Sequence, residues 1–295
     1  MKVLLTGRDG QLGQALIASC PEGIDLIATG RQELDLSDPS ACHAAVNLFK
    51  PDWVINAGAY TAVDKAESEP ELARLVNEAA PAALADALAV TSGRLLQLST
   101  DFVFNGTQGH PYQPEQICDP IGVYGVTKAA GEQAVVNRLS LAEGGQAAIL
   151  RTSWVYGPVG RNFLLTMLRM HCRYSASGQP LRVVADQVGC PTATPGLAFA
   201  CWSLIRHQAS GYYHWSDAGV ASWYDFAVAI GEYAQNYGLI SQSANVQPIV
   251  TSQYPTLAQR PAYSLLACAK TCERFGLSPQ NWRHALENVI SRMDA

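Results

Sequence analysis

Short apolar runs rich in β-branched residues recur along the first half of the chain, at Val3 to Leu5, Ile24 to Ala28, Trp53 to Ile55, Leu95 to Leu98 and Ala147 to Leu150. Between them lie alanine-rich stretches with helical periodicity. Runs this short and this uniformly apolar suit strands covered on both faces, and their alternation with helices predicts βαβ units and a parallel sheet. Helix starts are also legible. Asp38 before Pro39 fits an N-cap with proline at the first helical position, and Ser68 with Glu71 fits a capping box. After about Arg151 the rhythm loosens and Pro, Gly and aromatic residues increase. Val183-Val184 is expected as a late strand of the main sheet, and Ser222 with Asp225 is expected to cap a helix from Phe226 to Tyr237. The predicted fold class is α/β, a doubly wound parallel sheet with a smaller C-terminal lobe. Residues 1–152 form the first domain and 153–295 the second, with return segments near 181–225 that interleave the boundary.

Composition narrows the function classes. The 295 residues are 48% hydrophobic and 15% charged, which excludes a disordered chain. The formal net charge is -5 and the 20 Lys and Arg residues are scattered, so nucleic acid is not the expected partner. Eight cysteines occur without a CxxC pair, and reduced thiols are expected. The strand that opens at Val3 leaves no room for a signal-peptide apolar region, and no run approaches the roughly 20 residues of a membrane helix. A cytoplasmic location and no membrane contact are therefore expected.

Strand Val3 to Leu5 runs directly into Thr6-Gly7-Arg8-Asp9-Gly10-Gln11-Leu12-Gly13 and then an alanine-rich helix. The first glycine suits a tight turn, the second a close approach of backbone to a pyrophosphate, and the third helix packing on strand. The helix N-terminus then offers free N–H groups to the phosphates, as in Rossmann-type dinucleotide sites. Where an NAD-selective site has an acid, the second strand here ends Ala28-Thr29-Gly30-Arg31. Arg31 is either a solvated loop residue or the partner of the extra 2'-phosphate of NADP. On the second reading NADPH is preferred and NADH tolerated, since Asp35 can still reach the adenosine end.

Tyr124-Gly125-Val126-Thr127-Lys128 puts a phenol and an ammonium on one helix face. An unperturbed tyrosine, with a pKa of about 10, transfers protons poorly at neutral pH. A nearby cation lowers that value, and Lys128 together with the positive nicotinamide of an oxidised cofactor is expected to bring it toward the working range. Strand Leu95 to Leu98 ends in Ser99-Thr100-Asp101, at the crevice where open α/β sheets bind ligands. Thr100 is placed there to hydrogen-bond a carbonyl beside Tyr124.

These motifs resemble the extended short-chain dehydrogenase/reductase family of nucleotide-sugar enzymes. The supporting strings are Asn56 to Glu67 (NAGAYTAVDKAE), Leu98 to Gly106 (LSTDFVFNG), Val123 to Lys128 (VYGVTK), Arg151 to Gly157 (RTSWVYG), Asp186 to Thr192 (DQVGCPT) and the late Arg260-Pro261 with Ser264. They span nearly the whole chain in order. The resemblance implies an NADPH-dependent reduction at C4 of dTDP-6-deoxy-L-lyxo-4-hexulose, giving dTDP-L-rhamnose in the last step of a deoxysugar synthesis. It makes Tyr124 the proton donor, Lys128 its pKa-lowering and ribose-binding partner, and Thr100 the carbonyl orienter. The cofactor side comprises Gly7, Asp9, Gly10, Gln11, Leu12, Gly13, Arg31, Asp35, Leu36, Asn56, Ala57, Gly58, Ala59, Tyr60 and Ser99, with Tyr124 and Lys128. The dTDP-sugar side comprises Val63, Thr100, Asp101, Phe102, Trp154, Asn162, Gln187 and Arg260. Phe102 and Trp154 also read as ordinary core aromatics.

The chain departs from the family's pattern in two places. Phe102 stands where relatives often carry tyrosine, so contact there is apolar. Some relatives dimerise through a magnesium ion held by glutamates, one in the first helix; here that helix reads Gln14-Ala15-Leu16, so no metal is expected and a homodimer stays open. Rival readings are a 4,6-dehydratase or epimerase with bound NAD, and a non-catalytic regulatory subunit of the methionine adenosyltransferase type. The dehydratase needs an Asp-Glu pair after the strand-end threonine, whereas Asp101 is followed by Phe102.

Overall fold

A computed structural model describes residues 1–293 of the chain. Six strands form one parallel sheet: β1 (Lys2–Thr6), β2 (Asp25–Thr29), β3 (Trp53–Asn56), β4 (Arg94–Thr100), β5 (Ala147–Thr152) and β6 (Gly211–Trp215), in the order β6-β5-β4-β3-β1-β2. The chain moves outward from β1 to β2 and then crosses back to β3. That reversal opens a crevice at the carboxyl ends of β1 and β3, the place where sheets of this winding take ligands.

The longer helices are α1 (Gln11–Ala18), α2 (Pro39–Phe49), α3 (Ala80–Ala89), α4 (Val123–Val136), α5 (Phe163–Ser177), α6 (Thr194–Arg206), α7 (Trp223–Asn236) and α8 (Trp282–Ile290). Successive strand residues face opposite sides. Val3 and Leu5 pack with Leu16 of α1 and Leu197 of α6, while Leu4 between them packs with Val46 of α2, Leu84 of α3 and Val135 of α4. Both faces of β1 are thus covered, which is why its run Val3 to Leu5 is apolar without interruption. A second core, with Tyr156, Leu164, Phe226, Ile230, Trp282 and Leu286, holds the smaller lobe together. The chain leaves the main sheet after β5, builds part of that lobe, and returns with α6 and β6.

The predicted helix start at Asp38 is present: its carboxylate accepts from the Ser40 and Ala41 N–H groups at 2.9 and 3.1 Å. The Ser222–Asp225 box is present too, each residue's side chain accepting from the other's backbone N–H at 3.1 and 2.9 Å. Two expectations fail. Ser68 does not cap a helix; Pro70 takes the first helical position, Glu69 precedes it without a side-chain bond, and the Ser68 hydroxyl donates to the Lys65 carbonyl at 3.0 Å. Val183 and Val184 do not join the main sheet. Their strand, Leu181–Val184, pairs in parallel with Val246–Ile249 inside the smaller lobe, where the lobe core covers the same apolar run. All eight cysteines are free, and among the described residues no helix is long and apolar enough to cross a membrane.

Candidate active site

The glycine turn after β1 folds as its spacing dictates. Gly7 has φ +76°, and a Cβ there would lie 2.7 Å from the Gly58 Cα at the end of β3. A Cβ on Gly13 would run into the Gly7 carbonyl oxygen. Turn and helix are therefore as close as backbone allows. The first turn of α1 has no side-chain cap, which leaves its N–H groups facing the crevice with the partial positive charge of the helix end. A cleft of about 550 Å³ starts there and runs to Tyr124 and Lys128.

Of the cofactor-side residues predicted, Gly7, Asp9, Gly10, Gln11, Leu12, Arg31, Asp35, Leu36, Ala57, Gly58, Ala59, Tyr60, Ser99, Tyr124 and Lys128 all line this cleft. Gly13 does not, because its place is against the turn. Asn56 lies outside the lining and ties strands together: its amide oxygen accepts from the Thr6 hydroxyl at 2.6 Å and its NH2 donates to Gln97 at 2.8 Å, both buried. Arg31 lies 3.3 Å from the Asp35 carboxylate, which also accepts from the Ser37 N–H and hydroxyl, both at 2.8 Å. The Ser37 donors, with Arg31 behind them, hold the Asp35 carboxyl below its usual range.

At the far end of the cleft β4 closes in Thr100. Its hydroxyl accepts from the Phe102 N–H at 3.2 Å and donates to the Asp101 carboxylate at 3.0 Å, opening the short 3-10 turn Asp101–Val103. Tyr124, in the first turn of α4, meets the Phe102 ring edge-on at 5.6 Å. Burial pushes the Tyr124 phenol up to about 12; the Asp101 charge adds to this and the Thr100 hydroxyl opposes it. Burial likewise pushes the Asp101 carboxyl up to about 6. Lys128 donates its ammonium to the Leu98 carbonyl at 2.7 Å, and burial pushes it down to about 8, with Glu132 opposing. Lys128 alone does not lower the Tyr124 phenol here. Burial of the phenol is the largest cause of its upward shift, and Lys128 is not among the causes.

Two further hydroxyls bear on what the cleft can hold. Ser99 Oγ and Thr152 Oγ1 are buried, line the cleft beside Tyr124 and Lys128, and have no hydrogen-bond partner. Buried polar atoms in folded proteins are almost always paired, so a polar ligand group fits here. Thr152 lies within the Arg151-to-Gly157 string, but nothing in that string marks its hydroxyl as part of the cleft.

The predicted sugar-side residues divide into groups. Thr100, Asp101 and Phe102 gather around Tyr124. Trp154, with the left-handed φ of +47°, stacks face to face on Trp223 at 3.5 Å, and Gln187 ties the Trp223 indole N–H (3.2 Å) to the Thr251 hydroxyl (3.1 Å). Arg260 grips Asp64 through both guanidinium NH2 groups, at 2.7 and 3.2 Å, beside the short helix that Val63 opens. Asn162 is apart from all of these. It caps α5 and donates to Gln11 at 2.7 Å, which puts it at the phosphate turn.

Asn77 was not foreseen. It sits in a π-helical turn, Leu75–Ala79, and its amide pairs with both backbone groups of Tyr60 (2.9 and 3.1 Å) and with the Thr127 hydroxyl at 3.2 Å. It thereby couples the Tyr60 loop to the helix that carries Tyr124. A π-turn depends on packing against α4, and no local pattern signals it.

A glycine cradle, orphaned strand-end hydroxyls and a tyrosine–lysine pair on one helix together define a Rossmann-type oxidoreductase. The chain belongs to the RmlD substrate binding domain family, whose model matches residues 1–295. It is 37% identical over 296 residues to the dTDP-4-dehydrorhamnose reductase of Aggregatibacter actinomycetemcomitans, covering 98% of each chain. It is 39% identical over 294 residues to a probable dTDP-4,6-dihydroxy-2-methyloxan-3-one 4-ketoreductase of Streptomyces antibioticus, covering 98% of this chain and 95% of that one. Among solved structures it is similar to dTDP-4-dehydrorhamnose reductase of Bacillus anthracis in complex with NADP, with TM-score 0.88, 33% identity and 98% of each chain covered. UDP-glucose 4-epimerase of Thermus thermophilus shares the fold at TM-score 0.79 and 20% identity.

Proposed function

We propose that the protein is an NADPH-dependent reductase that converts the C4 ketone of dTDP-4-dehydrorhamnose to the alcohol of dTDP-L-rhamnose. The observation that carries this reading is the Tyr124 phenol, set edge-on to Phe102 at the β4 strand end that closes in Thr100, with Lys128 and Ser99 in the lining of the same cleft. Gly7, Gly10 and the first turn of α1 hold the pyrophosphate, and Ser99 and Thr152 take polar groups at the inner end. NADPH, once bound, supplies the hydride.

The remaining chemistry belongs to side chains. The carbonyl oxygen sits between Thr100 and Tyr124; as it gains negative charge, the phenol O–H gives up its proton to it and the alcohol forms. An acid that is fully protonated before the step suits this direction of reaction better than a phenolate. Lys128, charged below a pH of about 8, then stabilises the phenolate left behind. Phe102 closes the site on its apolar side. Eight free thiols suit a reducing, cytosolic setting.

Following the near-ultraviolet absorbance of NADPH with a panel of 4-keto nucleotide sugars tests the reading. One NADPH should be consumed per dTDP-4-dehydrorhamnose. Purified protein that retains non-exchanging NAD and consumes no NADPH would instead mark an epimerase or dehydratase.

A further inference from the structure

The smaller lobe sends a strap back over the phosphate turn. It runs from Gly157 to Asn162, between the short strand Val155–Tyr156 and α5. Gly160, with φ +80°, crosses directly above Gln11, and a Cβ there would lie 3.0 Å from Gln11 Cγ. Asn162 fixes the strap at both ends by donating to the Gly157 and Val159 carbonyls at 2.8 and 3.1 Å and to Gln11 at 2.7 Å. Gln11 in turn donates to the Arg161 carbonyl at 3.5 Å.

Arg161 lines the same cleft as Gly10, Gln11 and Leu12 and is exposed. The other cations near the turn are committed. Arg8 is paired with Asp9 and Glu33, Arg31 with Asp35, and Lys128 with the Leu98 carbonyl. Among the described residues Arg161 has neither an ion-pair partner nor a side-chain hydrogen bond, although five N–H donors are arrayed on it. A free guanidinium across from uncapped helix N–H groups faces a site built for anions, and its planar fork matches a phosphoryl group.

We infer that Arg161 binds the pyrophosphate of the dinucleotide from above, so that the strap clamps the cofactor between the two lobes. The inference rests on the reductase reading for its ligand. It makes Arg161 a binding residue supplied by the smaller lobe, opposite the glycine turn supplied by the larger.

The phosphate in question could belong to the pyrophosphate, to the 2'-phosphate of NADPH, or to the diphosphate of the sugar nucleotide. Fluorescence titration of wild type, Arg161→Ala and Arg161→Lys with NADPH and with NADH distinguishes them. Loss of one charged hydrogen-bonding partner should weaken both cofactors by about tenfold in Arg161→Ala, with partial recovery in Arg161→Lys. A loss confined to NADPH would assign Arg161 to the 2'-phosphate and overturn the proposal. Unchanged affinity for both cofactors, with or without a raised KM for the sugar nucleotide, would overturn it too. The residue is exposed, so the variants should unfold at the wild-type temperature. Wild type that bound neither dinucleotide would defeat the reductase reading itself, whereas wild-type binding with an unchanged variant defeats only the strap.

Discussion

The Lys128 ammonium donates to the Leu98 carbonyl at 2.7 Å, tying the helix that carries Tyr124 to the strand that ends in Thr100. One hydrogen bond thus helps set the spacing between Tyr124 and Thr100, the proposed proton donor and carbonyl orienter. It also fixes where the positive charge sits before any ligand arrives.

That charge should be readable by pH. Burial holds Lys128 near 8 against an ordinary 10.5, so between these values the unfolded chain binds more protons than the folded one. Stability contributed by this residue accordingly rises with pH across about 8 to 10.5. Affinity for NADPH should fall over the same window as the ammonium is lost. Fluorescence titrations and thermal melts from pH 7 to 10 should show both trends in wild type and neither in Lys128→Met, taking those pH limits as an approximate working range. Identical pH profiles in the two proteins would remove Lys128 from the account.

Tyr124→Phe removes the proton and keeps the ring that meets Phe102. Turnover should drop by roughly 100-fold or more with NADPH affinity nearly unchanged. Steady-state kinetics with a parallel binding titration checks this, and near-normal turnover would exclude the phenol as donor.

Arg31 and Asp35 line the cleft as an exposed ion pair, at the proposed adenosine end, and such a pair is by itself worth little to stability. Arg31→Ala should therefore leave the melting temperature alone and shift the ratio of NADPH to NADH affinity toward NADH by about tenfold. An unaltered ratio would show that Arg31 is only a solvated loop residue.

A buried ion pair stands behind the site. Arg151, 2% exposed, donates to Glu132, 3% exposed, at 2.9 and 2.6 Å, with its guanidinium between the rings of Phe104 and Tyr212. Arg151→Met strands the Glu132 carboxylate in the interior and should cost about 3–5 kcal/mol. Adding Glu132→Leu should recover much of that loss, because both desolvation penalties are then gone. Urea unfolding measures each step, and a double variant no better than the single one would contradict the electrostatic cause.

The five leading strands and the glycine turn were legible because the strands carry short runs rich in apolar, β-branched residues set between helical stretches, and because Gly7 and Gly13 stand where a Cβ has no room. Tyr124, Lys128 and Thr100 were legible from spacing and strand-end position. What sequence could not show depends on contacts far along the chain. β6 reads Gly211-Tyr212-Tyr213-His214-Trp215, without aliphatic residues, and pairs with β5 only because the chain returns. Val183-Val184 has the better strand sequence and lies in the other lobe. Thr152 and Asn77 become significant only when β4, β5 and α4 are packed together.

The return of α6 and β6 to the main sheet limits how the protein can be divided. A fragment ending after β5 would leave six residues of that strand, Ala147 to Thr152, with an open edge, and would strip Leu197 and Trp202 from the larger core. Such an edge invites pairing with other chains. Any exchange of the smaller lobe between relatives would thus have to graft two separate pieces around a retained 194–215 segment, because no single crossover point preserves both interiors.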